Sequence, residues 1–163
     1  MPSFRSSGSF GKRQEYIAVA ELLRRGYDVY MTLVDDQQID CVVRIEVNSH
    51  PVYIDVQIKA RSAGAKQAGT FAALTVRDPR PNFMFVFYSE DADVYWIMPS
   101  LDLVKEATRN KEGDNAGKYS IVFTNLRADK TSHPRPRFDG WRDNWEAFNI
   151  MAGNLVLDAP GDL

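Results

Sequence analysis

Residues 39–59, IDCVVRIEVNSHPVYIDVQIK, decide the fold. From Val52 to Lys59 the chain alternates, with Val52, Ile54, Val56 and Ile58 on one face and Tyr53, Asp55, Gln57 and Lys59 on the other. A period of two is the mark of a strand with one buried face. From Ile39 to Val47 the same rule puts Ile39, Cys41, Val43, Ile45 and Val47 together, and Asp40, Val42, Arg44 and Glu46 opposite them. Between the two runs lies the turn cluster Asn48-Ser49-His50-Pro51, so an antiparallel hairpin is predicted. A four-residue loop that pairs Val47 with Val52 sets Asp40 opposite Lys59, Val42 opposite Gln57 and Arg44 opposite Asp55. Asp40, Gln57 and Lys59 then share one side of one sheet.

Upstream, the first dozen residues are rich in Ser and Gly and read as a flexible arm. Residues 14–25 carry helical spacing: Val19, Leu22 and Leu23 share a face with Ala18 at its margin, and Gly26 supplies a C-terminal stop. Glu15 falls in the middle of that apolar face, one turn from Val19. A carboxylate there is costly unless it is paired, hydrogen-bonded or holding a metal, although the first turn also favours a negative charge. Residues 27–34 read as a strand. Downstream, 70–76 fits a strand better than a short helix, 82–88 and 94–98 read as interior strands, and Ser100 is placed to cap a helix over 101–108. Residues 119–123 resemble an edge strand, and 138–150 a final helix carrying Trp141 and Trp145. The order is helix, several strands, then helices flanking a mixed sheet: an α/β (α+β) class.

The 163 residues suit one domain, with an arm over 1–12, a core over about 13–100 and a C-terminal elaboration over about 101–163. No apolar run has the length of a secretory signal or a membrane span, which leads us to expect a cytoplasmic chain with no membrane contact. Cys41 is the single cysteine and reads as core packing. His50 and His133 have no partner at zinc-ligand spacing. The formal net charge of −2 gives no global pull toward phosphates. Basic residues nevertheless gather at Lys12 and Arg13, from Lys59 through Arg61 and Lys66 to Arg80, and at Arg135, Arg137 and Arg142.

Four segments together, Gly11-Lys12-Arg13-Gln14-Glu15, Arg25-Gly26-Tyr27-Asp28-Val29, Gln38-Ile39-Asp40 and Val56-Gln57-Ile58-Lys59, resemble the PD-(D/E)xK nuclease superfamily. The closest likeness is to its restriction-endonuclease-like and Holliday-junction-resolvase-like branches. The resemblance covers roughly the first sixty residues. It implies an αβββαβ core and a catalytic set of Glu15, Asp40, Gln57 and Lys59. It also implies Mg²⁺ or Mn²⁺ held by Asp40, Gln57, the Ile58 carbonyl and Glu15, and DNA as substrate. Hard oxygen donors with one or two carboxylates suit Mg²⁺. A bound ion makes water a better nucleophile and neutralises charge on the phosphate, and Lys59 would orient that water or steady the developing charge. Lys12, Arg13, Arg61 and Lys66 are the candidate phosphate contacts.

Gln57 stands where the motif most often carries Asp or Glu, which removes one negative charge from the site. A second reading is therefore a non-catalytic member of the fold that binds nucleic acid or a protein partner. A third is an assembly subunit presenting Trp141 and Trp145 on an exposed surface. Residue by residue, plainer roles also exist: Asp40 with Lys59, and Arg44 with Asp55, as cross-strand ion pairs. Many relatives of this kind dimerise, but no self-complementary patch is legible in the sequence, so the resemblance leaves a homodimer open.

Overall fold

The computed structural model describes residues 7–34, 37–65, 69–127 and 130–158. Helix α1 runs from Ser7 to Arg24. Residues 7–12, expected in a flexible arm, are therefore its opening turns. The cause is Phe10. Phe10, Gln14, Ala18 and Leu22 form one i, i+4 row, and all four are buried, so an aromatic anchor fastens a Ser/Gly-rich turn that has little helix propensity of its own. Leu23, assigned to the buried face, is 53% exposed, because the centre of that face lies on the Ala18–Leu22 line. Gly26 ends the helix with φ +88, a conformation that costs other residues steric strain.

Strand β1 (Asp28–Met31) is shorter than the expected 27–34, and β2 (Cys41–Val47), β3 (His50–Arg61), β4 (Thr70–Leu74), β5 (Phe83–Ser89) and β6 (Val94–Pro99) follow. Five of them form one sheet in the order β1-β2-β3-β5-β6, in which β3 and β5 run parallel and the other neighbours antiparallel. Mixed sheet and flanking helices match the expected class. The helix that an αβββαβ core would place between β3 and β5 is absent from the described residues. Its place in the chain is taken by β4, which leaves the main sheet for a second one of order β4-β8-β7, with β7 Thr108–Arg109 and β8 Tyr119–Val122. Residues 119–122 thus form a central strand rather than an edge.

The hairpin is present, but its register differs from the expectation by two residues. Asn48 and Ser49 both adopt positive φ, +50 and +66, and close a two-residue turn, so Val47 pairs with His50 and Cys41 with Val56. An even shift leaves every side chain on its expected face. It changes only who stands opposite whom: Arg44 faces Tyr53, and Val42 faces Asp55.

Two apolar clusters sandwich the main sheet. On one side Ala18, Val19 and Leu22 of α1 meet Cys41, Ile54, Val56, Ile58, Met84 and Val86, joined by Trp145, Phe148 and Met151. On the other, Phe83, Phe85, Phe87, Trp96 and Met98 meet Phe71, Ile121, Phe123 and Phe138. Truncating such a buried ring costs about 3–5 kcal/mol. The helix expected over 138–150 is split to serve both clusters. A 3-10 helix (Pro136–Trp141) delivers Phe138 to the second, Asp143 turns the chain with φ +48, and α3 (Ala147–Leu157) packs on the first. Trp145 is 3% exposed, and Trp141 is partly buried against the second cluster while donating to Asp102, so the two rings do not form one exposed aromatic surface. Helix α2 (Ser100–Glu106) begins without a side-chain cap. The Ser100 hydroxyl instead bonds the Arg80 N–H and carbonyl, both at 3.0 Å. Finally, β9 (Thr124–Leu126) and β10 (Ser132–Pro134) pair as a separate two-stranded ribbon. No helix among the described residues is long and apolar enough to cross a membrane.

Candidate functional site

Asp40 sits at the point where β2 begins. Its N–H donates to the Val56 carbonyl at 2.9 Å, and its carboxylate Oδ2 accepts the Ile58 N–H at 2.6 Å. The neighbour it meets is therefore the Gln57-Ile58 step, where the four-residue loop had predicted Lys59. A charge-assisted bond of this kind stabilises by about 1.5–3 kcal/mol and fixes the carboxylate's direction. In a strand, a residue's N–H and C=O turn toward the same neighbour. The Ile58 carbonyl thus faces Asp40's side, beyond the first residue of β2.

Gln57 stands beside this step and is 2% exposed, yet its side-chain Oε1 has no hydrogen-bond partner. A buried acceptor without a partner costs about 1–3 kcal/mol. Lys59 follows at the next position on the same face and is half-buried. Glu15 approaches from α1, on the opposite side of the sheet, and pairs with Lys12 at 2.5 Å. Its neighbourhood with Asp40 is visible through Cys41. Burial, then the negative charges of Asp40 and Glu15, push that thiol up to about 12. The bond to Glu15 likewise raises the Lys12 ammonium above its ordinary value, and Asp40 adds to the effect.

The oxygens that could serve a metal ion are hard donors: the Asp40 carboxylate, the unpartnered Gln57 amide oxygen, the Ile58 carbonyl and, from the helix, the Glu15 carboxylate. Among the described residues no three His, Cys, Asp or Glu side chains form a metal-binding cluster. Oxygen donors that include one or two carboxylates are the kind of set that Mg²⁺ or Mn²⁺ uses. The orphaned Gln57 oxygen is the feature that such an ion would satisfy.

Around this centre the other expected residues divide. Arg13 reaches Glu90 at 3.7 Å and lies over the Phe10 ring. The Arg61 Nε–H donates to the Thr70 carbonyl at 2.8 Å, so part of its guanidinium braces β4. Lys66 lies outside the described residues. Asp55 does not pair with Arg44. It binds Arg80 at 2.5 Å, whereas Arg44 turns to Asp28 and Glu46. Glu90 was read only as part of a turn. Its Oε2 accepts the Ala63 N–H and its own N–H donates to the Arg61 carbonyl, which fastens the segment after β3 to the end of β5. Ser89-Glu90-Asp91 was legible as a boundary but not as a latch, because the two backbone groups that Glu90 holds are brought near only by the fold.

No protein-family model and no curated protein matches the sequence. Among solved structures, the fold is similar to that of a bacterial homing endonuclease, I-Ssp6803I, with a TM-score of 0.56, 18% sequence identity, and coverage of 94% of this chain and 100% of that one. At that identity the likeness is one of fold alone.

Proposed function

We propose that this chain is a metal-dependent nuclease that hydrolyses DNA phosphodiester bonds, with a PD-(D/E)xK-type site on Glu15, Asp40, Gln57 and Lys59. The observation that carries the proposal is the Asp40 carboxylate, held by the Ile58 N–H, beside the buried and unpartnered Gln57 oxygen. The endonuclease-like fold supports it. Asp40, Gln57 Oε1 and the Ile58 carbonyl would hold Mg²⁺ or Mn²⁺, with Glu15 as a direct or water-bridged fourth oxygen. When bound, such an ion lowers the pKa of water and offsets charge on the phosphate.

Each residue's own task follows from its place. The Ile58 N–H orients Asp40 before any ligand arrives, which spares reorganisation during the reaction. Lys59, next on the Gln57 face, supplies a compact positive charge to the non-bridging phosphate oxygens. Water adds to phosphorus as the P–O bond to the leaving nucleotide breaks, and the departing oxygen takes up a proton.

The test is cleavage of plasmid, linear, single-stranded and four-way-junction DNA in Mg²⁺, Mn²⁺ or EDTA. Wild type should cut only with the ion, and Asp40→Ala and Lys59→Ala should each lose about 100-fold or more. A second reading, a non-catalytic binding domain, is favoured by one observation, the amide at position 57. Absence of cutting on every substrate together with no Mn²⁺ binding by calorimetry would replace the first reading with this one.

A further inference from the structure

The β9–β10 ribbon takes no part in the candidate site, yet one of its faces is an ordered row of polar side chains. Opposed residues of an antiparallel pair share a face, and His133 stands opposite Asn125. Arg127 is bonded to Thr131 one step toward the tip, and Arg135 to Phe123 one step toward the root. Arg127, Thr131, His133, Asn125 and Arg135 therefore lie along one side. Four of them are already paired, two by two. The Arg135 Nε–H donates to Asn125 Oδ1 at 2.8 Å, and the Thr131 hydroxyl and His133 Nε2 lie 2.6 Å apart. Arg127 and Lys130 are exposed at the tip.

Charge gathers here against the balance of the molecule. From Asn125 to Arg137 the sequence holds Arg127, Lys130, Arg135 and Arg137 against Asp129, in a chain of net charge −2. The ribbon is also rooted next to the site. The Phe123 N–H donates to the Gly69 carbonyl at 2.9 Å, and a Cβ at Gly69 would come within 1.7 Å of Thr124 Oγ1. Gly69 directly precedes β4, whose first residue, Thr70, is braced by Arg61 at the end of the site strand.

From this we infer that the β9–β10 ribbon enters the major groove of double-stranded DNA and reads base edges there, with Arg135 as a reading residue and Asn125 as its positioning residue. The inference rests on DNA being the substrate and adds how that substrate is selected. A two-stranded ribbon fits the width of a B-form major groove, and arginine pairs in two-pronged fashion with guanine O6 and N7. With Nε held by Asn125, the terminal nitrogens of Arg135 keep a fixed direction at little entropic cost. Lys130 at the tip is placed for backbone phosphates. The A-form groove of RNA duplexes is too narrow for the same element.

Binding is measured in the Asp40→Ala chain with Mg²⁺, by anisotropy on random-sequence DNA duplexes, on the sequence enriched from that pool, and on matched RNA duplexes. Adding Arg127→Ala and Arg135→Ala should weaken binding about 10-fold or more and reduce the salt slope by about 1–2. Asn125→Ala should weaken binding to the enriched sequence without changing the slope. Its exposed position keeps the core intact, which a thermal melt verifies. Unchanged affinity and slope in the double variant, equal binding of RNA duplex, or no duplex binding by the parent would each overturn the inference. Cleavage by wild type judges the nuclease reading separately, since ribbon-dependent binding without cutting keeps the ribbon and discards the nuclease.

Discussion

Gln57 is the residue on which the candidate site turns. Its identity, its face and its place two residues before Lys59 are plain in the sequence, but burial to 2% exposure and the lack of a partner for Oε1 are not. Restoring a carboxylate there gives a direct prediction. Gln57→Glu should bind Mn²⁺ about tenfold more tightly in calorimetry, as expected for an added anionic oxygen on a hard cation. Without metal, burial and the nearby Asp40 charge should raise the new carboxyl's pKa. A carboxyl whose folded pKa is raised stabilises below the unfolded value, and that contribution is lost as pH rises through the folded one. The metal-free variant should therefore lose stability relative to wild type between acid and neutral pH and regain it with Mn²⁺. Equal Mn²⁺ affinity in the two proteins would remove Gln57 from the ligand set.

Among elements, the β2–β3 hairpin carries the most information. Alternation located both strands and their faces, while the turn was read as four residues because Asn48, Ser49 and Pro51 favour turns and bracket His50. His50 and Pro51 belong to β3, and the reversal is made by Asn48 and Ser49 alone, both at positive φ. Serine is strained there, and glycine is not. Ser49→Gly is expected to raise stability by about 0.5–1 kcal/mol, seen as a higher urea midpoint at unchanged slope. A lower midpoint would contradict the two-residue turn and return the hairpin to the longer loop. The split of the last helix belongs at this scale too. Helical spacing of Phe138, Trp141 and Trp145 was real in the sequence, but Phe138 and Trp145 enter clusters on opposite sides of the sheet, which one straight helix cannot reach.

For the whole molecule, both faces of the central part of the sheet are covered, and this sets the response to alkali. Burial is the leading cause that pushes Cys41, Tyr88 and Tyr95 up to about 12, and Tyr88 is held further by its bond to Asp93. The folded protein keeps these protons more tightly than the unfolded chain. Their contribution is complete below the ordinary values, 9.0 for the thiol and 10.0 for the phenols, and is lost as pH rises toward about 12. Denaturation midpoints should fall steadily across that window, and the Cys41 thiol should resist disulfide-exchange reagents until the protein unfolds. Midpoints that rise with pH, or rapid labelling of the native protein, would count against this burial.

What the sequence determined alone is what local periodicity encodes. A period of two assigns strands and faces, a period near 3.6 assigns the middle of α1, and glycine at 26 stops it. The tertiary structure decided what depends on distant partners. Phe10 had to find a core before residues 7–12 could be helical, the turn had to choose its backbone before Asp40 could meet Ile58, and β4 had to pair with β8 before the crossover could dispense with a helix. Those outcomes are set by burial and hydrogen bonding between segments far apart in the chain, and no window of neighbouring residues contains both partners.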